Sequence, residues 1–116
     1  LAKFLDDIRD NNPNANKYFV DVHGWTRQII TSNDKLLNSF SDGFSEDSEY
    51  GEYKTNSTLT GAKGYIATYA ESIGFNSCLF EFPDTVRALG DVSQKGYDAR
   101  FITSIYTIVN PESNNN

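Results

Sequence analysis

Residues 76–82 read Asn-Ser-Cys-Leu-Phe-Glu-Phe, and this stretch decides the fold of the chain. Cysteine and two phenylalanines occupy every second position, while serine, leucine and glutamate occupy the positions between them. This alternation predicts a β-strand, which Pro83 ends because proline has no backbone N–H to donate. Gly74 precedes it at a position typical of the C-terminal cap of a helix.

Helical and extended patterns alternate on both sides of this strand. Apolar spacing predicts helices at residues 1–8, 33–40, 61–73 and 98–109, and strands at 17–23 and 26–31. In the last helix, five residues are predicted to face inward: Phe101, Ile102, Ile105, Ile108 and Val109. The order predicts a layered α/β fold, with a mixed sheet flanked by helices.

Two segments carry further expectations. Residues 17–23 are apolar on both faces, which is typical of an inner strand covered on both sides. Residues 41–60 hold five acids and a single base, Lys54, and are predicted to form a solvated surface loop, one wall of a cleft.

Composition and charge indicate a folded chain and argue against some classes of binding partner. Of the 116 residues, 38% are hydrophobic and 14% aromatic, which is enough to build a core. The net charge of -6 repels phosphate backbones and argues against nucleic acid as a partner. No apolar stretch approaches the roughly 20 residues that span a membrane. The chain has no methionine and opens at Leu1 inside a helical pattern, so we expect it to be processed, trimmed or an excerpt of a longer protein.

The single cysteine, Cys78, excludes an intrachain disulfide and a cysteine-based zinc site. On an apolar strand, a free cysteine is usually a small buried hydrophobe. Cys78 is therefore predicted to be part of the core.

Two polar residues stand at the ends of predicted strands. His23 closes the strand at 17–23, and Glu81 stands near the end of the strand at 76–82. Ligands of α/β sheets bind beyond the carboxyl ends of the strands, and a buried carboxylate is costly unless it is paired. A lone strand-end histidine is more often structural. Together, an imidazole and a carboxylate suit metal-assisted hydrolysis, although composition alone does not separate this pairing from a structural one.

Two segments resemble parts of the zinc carboxypeptidase family. Residues 19–25, Phe-Val-Asp-Val-His-Gly-Trp, resemble the strand that delivers the third zinc ligand, and residues 74–87 resemble the strand with the catalytic glutamate. The family commonly continues the latter as Glu-x-x-Asp-Thr-x-Arg, matched here by Glu81, Asp84, Thr85 and Arg87. The resemblance implies that residues 1–110 are the C-terminal portion of such a domain, with residues 111–116 a disordered tail.

The resemblance also implies roles for individual residues. His23 would be a zinc ligand and Glu81 the general base and proton shuttle. Gly24 and Trp25 would border the substrate cleft, although Trp25 is as readily a core residue. Leu79 would belong to the pocket for the terminal side chain of a peptide or peptide-like substrate.

The family's other zinc ligands form an upstream His-x-x-Glu, but this chain has a single histidine. We therefore expect the missing N-terminal part of the same domain to be a partner. The chain alone is expected to bind zinc weakly or not at all and to be inactive. The compartment stays open, with a secreted protein weakly favoured by the resemblance.

Other functions remain open. The same zinc scaffold serves amidohydrolases or deacylases that act on small acylated amino acids. A descendant of the family that binds peptide ends without cutting them belongs to a different class, and so does a purely structural α/β subdomain. A carboxylate at Glu81 favours an enzyme over a peptide-binding module, because a binder has no need of a costly buried charge.

Overall fold

The computed structural model describes residues 1–23, 28–44, 54–56, 66–82 and 96–110. Helices and strands alternate along them, as the sequence predicts. The helices are α1 (Ala2–Asn11), α2 (Asp34–Phe44), α3 (Ile66–Ser72) and α4 (Tyr97–Val109). The strands are β1 (Tyr18–His23), β2 (Gln28–Thr31), β3 (Lys54–Asn56) and β4 (Asn76–Glu81).

The four strands form one mixed sheet in the order β1-β4-β2-β3. β4 is parallel to β1 and antiparallel to β2, and β2 is parallel to β3. The predicted layered α/β fold is thereby confirmed. Gly74 also has the predicted capping role: its φ is +103°, and its N–H donates to the carbonyl of Glu71 as α3 ends.

The placement of β1 in the described part of the sheet differs from one expectation. Among the described residues β1 lies at an edge of the sheet, whereas an inner position was predicted. Its two apolar faces are explained by the layers above and below the sheet. Phe19 packs with the cluster around α1 and α3, and Val20 packs with the cluster around α2 and α4. Apolar residues on both faces of a strand therefore indicate that helices cover both faces. They do not indicate that the strand has a neighbouring strand at each edge.

The segment predicted as a loop contains regular structure at both places where it is described. Helix α2 continues to Phe44, which is buried, and residues 54–56 pair with β2 as strand β3. The sequence Lys-Thr-Asn has no apolar alternation, so only its pairing with β2 identifies it as a strand.

Helix α4 also departs from the prediction. Ile102 and Val109 were expected to face inward, but they are 67% and 56% exposed. Successive residues of a helix point about 100° apart. Ile102 therefore points away from the buried stripe that contains Phe101, and Val109 points away from the stripe that contains Ile108. The face that packs inward carries Phe101, Ile105 and Ile108.

The main core lies between the sheet and helices α2 and α4. Phe40, Phe44 and Phe80 are fully or almost fully buried there, and Cys78 is buried beside them as predicted. A smaller cluster around Leu5, Ala70 and Phe75 joins α1 and α3 to the opposite face of the sheet. No helix in the described ranges has the length and apolar character needed to cross a lipid bilayer. The predicted tail at 111–116 lies outside the described residues.

Candidate functional site

The two residues singled out from the sequence are neighbours in the sheet. β1 and β4 run parallel, and their register pairs His23 with Glu81. Adjacent strands lie about 4.8 Å apart, and side chains at paired positions of parallel strands extend from the same face. The fold therefore places His23 and Glu81 side by side at the carboxyl ends of two parallel strands. Because Ser77 and Leu79 of the same parity pack against α3, this is the α3 side of the sheet.

Glu81 is 5% exposed and has a polar partner on the neighbouring strand. Gln28, the first residue of β2, donates a hydrogen bond from Nε2 to Oε2 of Glu81. An ionised carboxylate removed from water needs such donors, because its desolvation is otherwise uncompensated. The carboxylate is thus held at the end of β4.

His23 has an acidic neighbour on its own strand. Its Nε2 lies 3.0 Å from Oδ1 of Asp21, and the two side chains are 40% and 19% exposed respectively. Residues two apart on a strand share a face, so this contact follows from the local sequence Asp-Val-His. It is an ion pair whenever the imidazole is protonated. Nε2 itself is buried although the side chain as a whole is half-exposed.

Sequence reasoning missed Gln28 and Asp21. Asp21 carried a readable signal, because its spacing of two from His23 on a strand places both on one face. Gln28 carried only a weak one, a polar residue before the apolar pair Ile29 and Ile30. Its partner lies 53 positions away, and only the register of the sheet brings the two together.

Of the three predicted substrate-binding residues, the structure describes Leu79. Leu79 lies on the same face as Glu81, but it is 2% exposed and packs against Ala67, Phe19 and Ile30. In this conformation it offers no surface to a substrate, and its pocket role stays a prediction. Gly24 and Trp25 lie outside the described residues, as do Asp84, Thr85 and Arg87 of the motif.

The donor atoms fit one part of a zinc site. His23 is the single histidine of the chain, and its half-exposed imidazole can supply one nitrogen ligand. Cys78 is buried in the main core, on the face of β4 opposite to Glu81, so its thiol does not face the site. Within the described ranges, no three His, Cys, Asp or Glu side chains cluster as a metal site would require. The zinc site stays a prediction that needs further ligands.

Comparisons with known proteins give one distant relative. No protein-family model matches the chain, and no solved structure matches it. The chain is 24% identical over 112 residues to bacteriocin BCN5 of Clostridium perfringens. The match covers 94% of this chain and 11% of the bacteriocin, so the chain spans about a tenth of the length of this relative. At this identity the similarity does not show a family.

Proposed function

We propose that this chain is the C-terminal part of a zinc carboxypeptidase-like domain that hydrolyses C-terminal peptide bonds. His23 would bind the metal, and Glu81 would be the general base. The observation that supports this most is the register of β1 and β4, which makes the two residues neighbours on one face of the sheet. Both residues lie at the carboxyl ends of parallel strands, where ligands of such sheets bind.

The chemistry follows from the positions of these side chains. Zinc, when bound, would polarise a water molecule and the scissile carbonyl. Glu81 would accept the proton of the attacking water and deliver it to the leaving amine. The carboxylate is shielded from solvent and held by Gln28, so it is oriented before a substrate arrives.

A metal at His23 would bind through Nδ1. The other nitrogen, Nε2, is buried and lies 3.0 Å from Oδ1 of Asp21, in a contact that does not have hydrogen-bond geometry. Histidines that bind metals usually present their second nitrogen to a carboxylate or a carbonyl, which fixes the ring. In this proposal Asp21 holds the imidazole in its orientation.

The remaining ligands would come from the missing N-terminal part of the domain. β1 is an edge strand among the described residues, and Val22 on it is 44% exposed. An edge strand with an exposed apolar residue can pair with a further strand. We propose that an upstream segment of the parent protein pairs with β1 and completes the site next to His23.

The test uses the intact parent protein and peptides with a free C-terminal residue. We expect release of the terminal amino acid, loss of this activity after chelation of zinc, and its return when zinc is restored. Glu81→Gln should lower kcat about 100- to 10,000-fold, the contribution of a general base. Glu71→Gln is a matched control. Glu71 lies on α3, away from the site, and accepts a hydrogen bond from Ser32 Oγ. The proposal fails if the terminal residue is not released, or if Glu81→Gln is as active as the wild type.

The chain alone gives a second test. We expect titration calorimetry to detect no stoichiometric zinc binding at micromolar concentration, because zinc sites usually need three protein ligands. Tight binding by the 116-residue chain would contradict the view that the other ligands lie outside it.

Two alternatives use the same residues. A deacylase would release amino acids from small acylated substrates and would leave longer peptides intact, so the same assay with both substrate types separates the two enzymes. A module that binds peptide ends without cutting them would retain its affinity in Glu81→Gln and would show no turnover. The binding module is the weaker of the two alternatives, because a nearly buried carboxylate beside an imidazole suits proton transfer better than binding alone.

The similarity to bacteriocin BCN5 favours one further candidate, that the chain belongs to a bacteriocin-like protein. This role and the peptidase are compatible, since a longer chain can hold a hydrolytic domain. Inhibition of bacterial growth by the intact wild-type protein, compared with Glu81→Gln, tests whether the two are linked. Equal inhibition by both proteins would separate the antibacterial role from the site described above.

A further inference from the structure

We infer that Gln28 is a positioning residue, which holds the Glu81 carboxylate in the orientation needed for proton transfer. The catalytic consequence rests on the proposed function, but the contact itself does not. The contact joins two strands: Gln28 begins β2 and Glu81 ends β4, and the amide Nε2 donates to Oε2.

The register of the sheet places the two side chains opposite each other. β2 and β4 are antiparallel, with Ile29 paired to Phe80 and Ile30 to Leu79. The next pair in this register is Gln28 with Glu81. Directly opposed residues of an antiparallel pair have Cβ atoms about 4.5–5.5 Å apart, which is within reach of a glutamine side chain. The register therefore brings the two side chains within hydrogen-bonding reach of each other.

The backbone that carries Gln28 is held firmly. Ile29 is completely buried in the main core. Because this burial fixes the backbone of β2, the entropy lost when the Gln28 amide binds the carboxylate is confined to the Gln28 side chain.

The chemical type of the residue also suits this role. A lysine or arginine at this position would stabilise the ionised carboxylate and oppose its uptake of a proton. A neutral amide orients the carboxylate through a hydrogen bond without adding a positive charge. Glutamine thus gives orientation and leaves proton transfer possible.

The kinetic test uses the intact protein. Gln28→Leu keeps the approximate size of the side chain and removes the amide. We expect kcat to fall about 10- to 100-fold with KM within about twofold, the usual effect of losing a residue that orients a catalytic group. Gln28→Glu should lower kcat further at neutral pH, because two carboxylates would then face each other.

Thr31→Val is the matched control on the same strand. It removes a buried hydrogen bond and should lower the unfolding temperature, while kcat stays within about twofold. If Gln28 were merely structural, Gln28→Leu would resemble Thr31→Val, with lower stability and unchanged kcat. That result in an active wild-type protein would overturn the inference.

A second readout is independent of activity. In NMR spectra, the Gln28 side-chain amide protons should be shifted downfield and exchange slowly with solvent. Glu81→Gln replaces a charged acceptor with a neutral one, so the shift should move upfield. If the intact protein hydrolyses nothing, the proposed function fails, and this shift still supports the positioning contact. Amide protons that do not respond to Glu81→Gln would overturn the contact whatever the activity.

Discussion

The two faces of β4 are built on different principles. On one face, the ring of Phe80 lies 4.8 Å from that of Phe40 and 4.9 Å from that of Phe44, measured between centroids. On the other face, Ser77 donates to the carbonyl of Ala67 at 2.7 Å, so α3 approaches the sheet closely. Large rings fill the first interface, whereas the second combines the polar residues Ser77 and Glu81 with Leu79, which packs against Ala67. The comparison indicates that stability resides mainly on the aromatic face and the proposed chemistry on the other.

The largest effect is expected from Phe80→Ala on the aromatic face. Removal of a fully buried phenylalanine should lower the free energy of unfolding by about 3–5 kcal/mol, from lost burial and the cavity left behind. Urea denaturation followed by circular dichroism measures this. Val22→Ala is the control, since Val22 is paired with Phe80 on the same face but is 44% exposed, and it should cost under about 1 kcal/mol. Equal costs for the two variants would break the comparison.

The aromatic face was largely predictable from the sequence, and the site only in part. Alternation in residues 76–82 predicts the strand and places Cys78 and Phe80 on one face, although residues 77–81 are buried on both faces. The positions of His23 and Glu81 at strand ends were also readable. Their adjacency required the strand order, which depends on contacts between distant segments.

The contacts missed from the sequence share one physical cause. The hydrogen bond from Gln28 to Glu81 depends on antiparallel register, and a shift by one residue would turn Gln28 to the other face. Strand β3 exists through its pairing with β2, since the residues Lys-Thr-Asn have weak strand propensity. Local patterns determine which segments are helix or strand, but they do not determine which strands become neighbours.

The next effect concerns Cys78, buried on the aromatic face. Its thiol pKa is raised by burial to about 12, whereas an unfolded cysteine titrates near 8.5. The unfolded state therefore loses its proton first as the pH rises. This contribution to stability is complete below about pH 8.5 and is lost as the pH rises towards 12, by about 1.4 kcal/mol per pH unit.

Comparison with Cys78→Ala isolates this contribution. Between pH 8 and pH 10, the wild type should lose about 2 kcal/mol of unfolding free energy relative to the variant, since all other groups are common to both proteins. Urea denaturation at the two values measures the difference. Parallel pH dependences would mean that the thiol titrates alike in the folded and unfolded states, contrary to its burial on this face.

A smaller effect is expected from Glu81→Gln on the opposite face. The variant has the same shape, keeps an acceptor for Gln28, and removes a nearly buried charge, so the free energy of unfolding should change by less than about 1 kcal/mol. Thermal denaturation checks this. A loss above about 3 kcal/mol is typical of a broken buried ion pair, and it would assign Glu81 a structural role in place of a chemical one.

The smallest effect is expected from Gly43→Ala, at the contact between α2 and α4, the two helices that cover the aromatic face of β4. A Cβ on Gly43 would lie inside the contact distance of Ser104 Oγ, which donates to the carbonyl of Arg100 at 2.9 Å. Gly43→Ala should gain up to about 1 kcal/mol of helix propensity and lose about 1 kcal/mol when that hydroxyl is displaced. The net change in unfolding free energy should therefore stay within about 0.5 kcal/mol.

In a Ser104→Ala background the hydroxyl is absent, and Gly43→Ala should then stabilise the protein by about 0.5–1 kcal/mol. A double-mutant cycle followed by urea denaturation measures this coupling. The next nearest atoms to the added Cβ, the carbonyl oxygen of Arg100 and Cβ of Ser104, are both 3.7 Å away, so the helix backbones need not separate. If Gly43→Ala lost about 2 kcal/mol in both backgrounds, the helices would have to move apart, and the close fit behind the aromatic face would itself require the glycine.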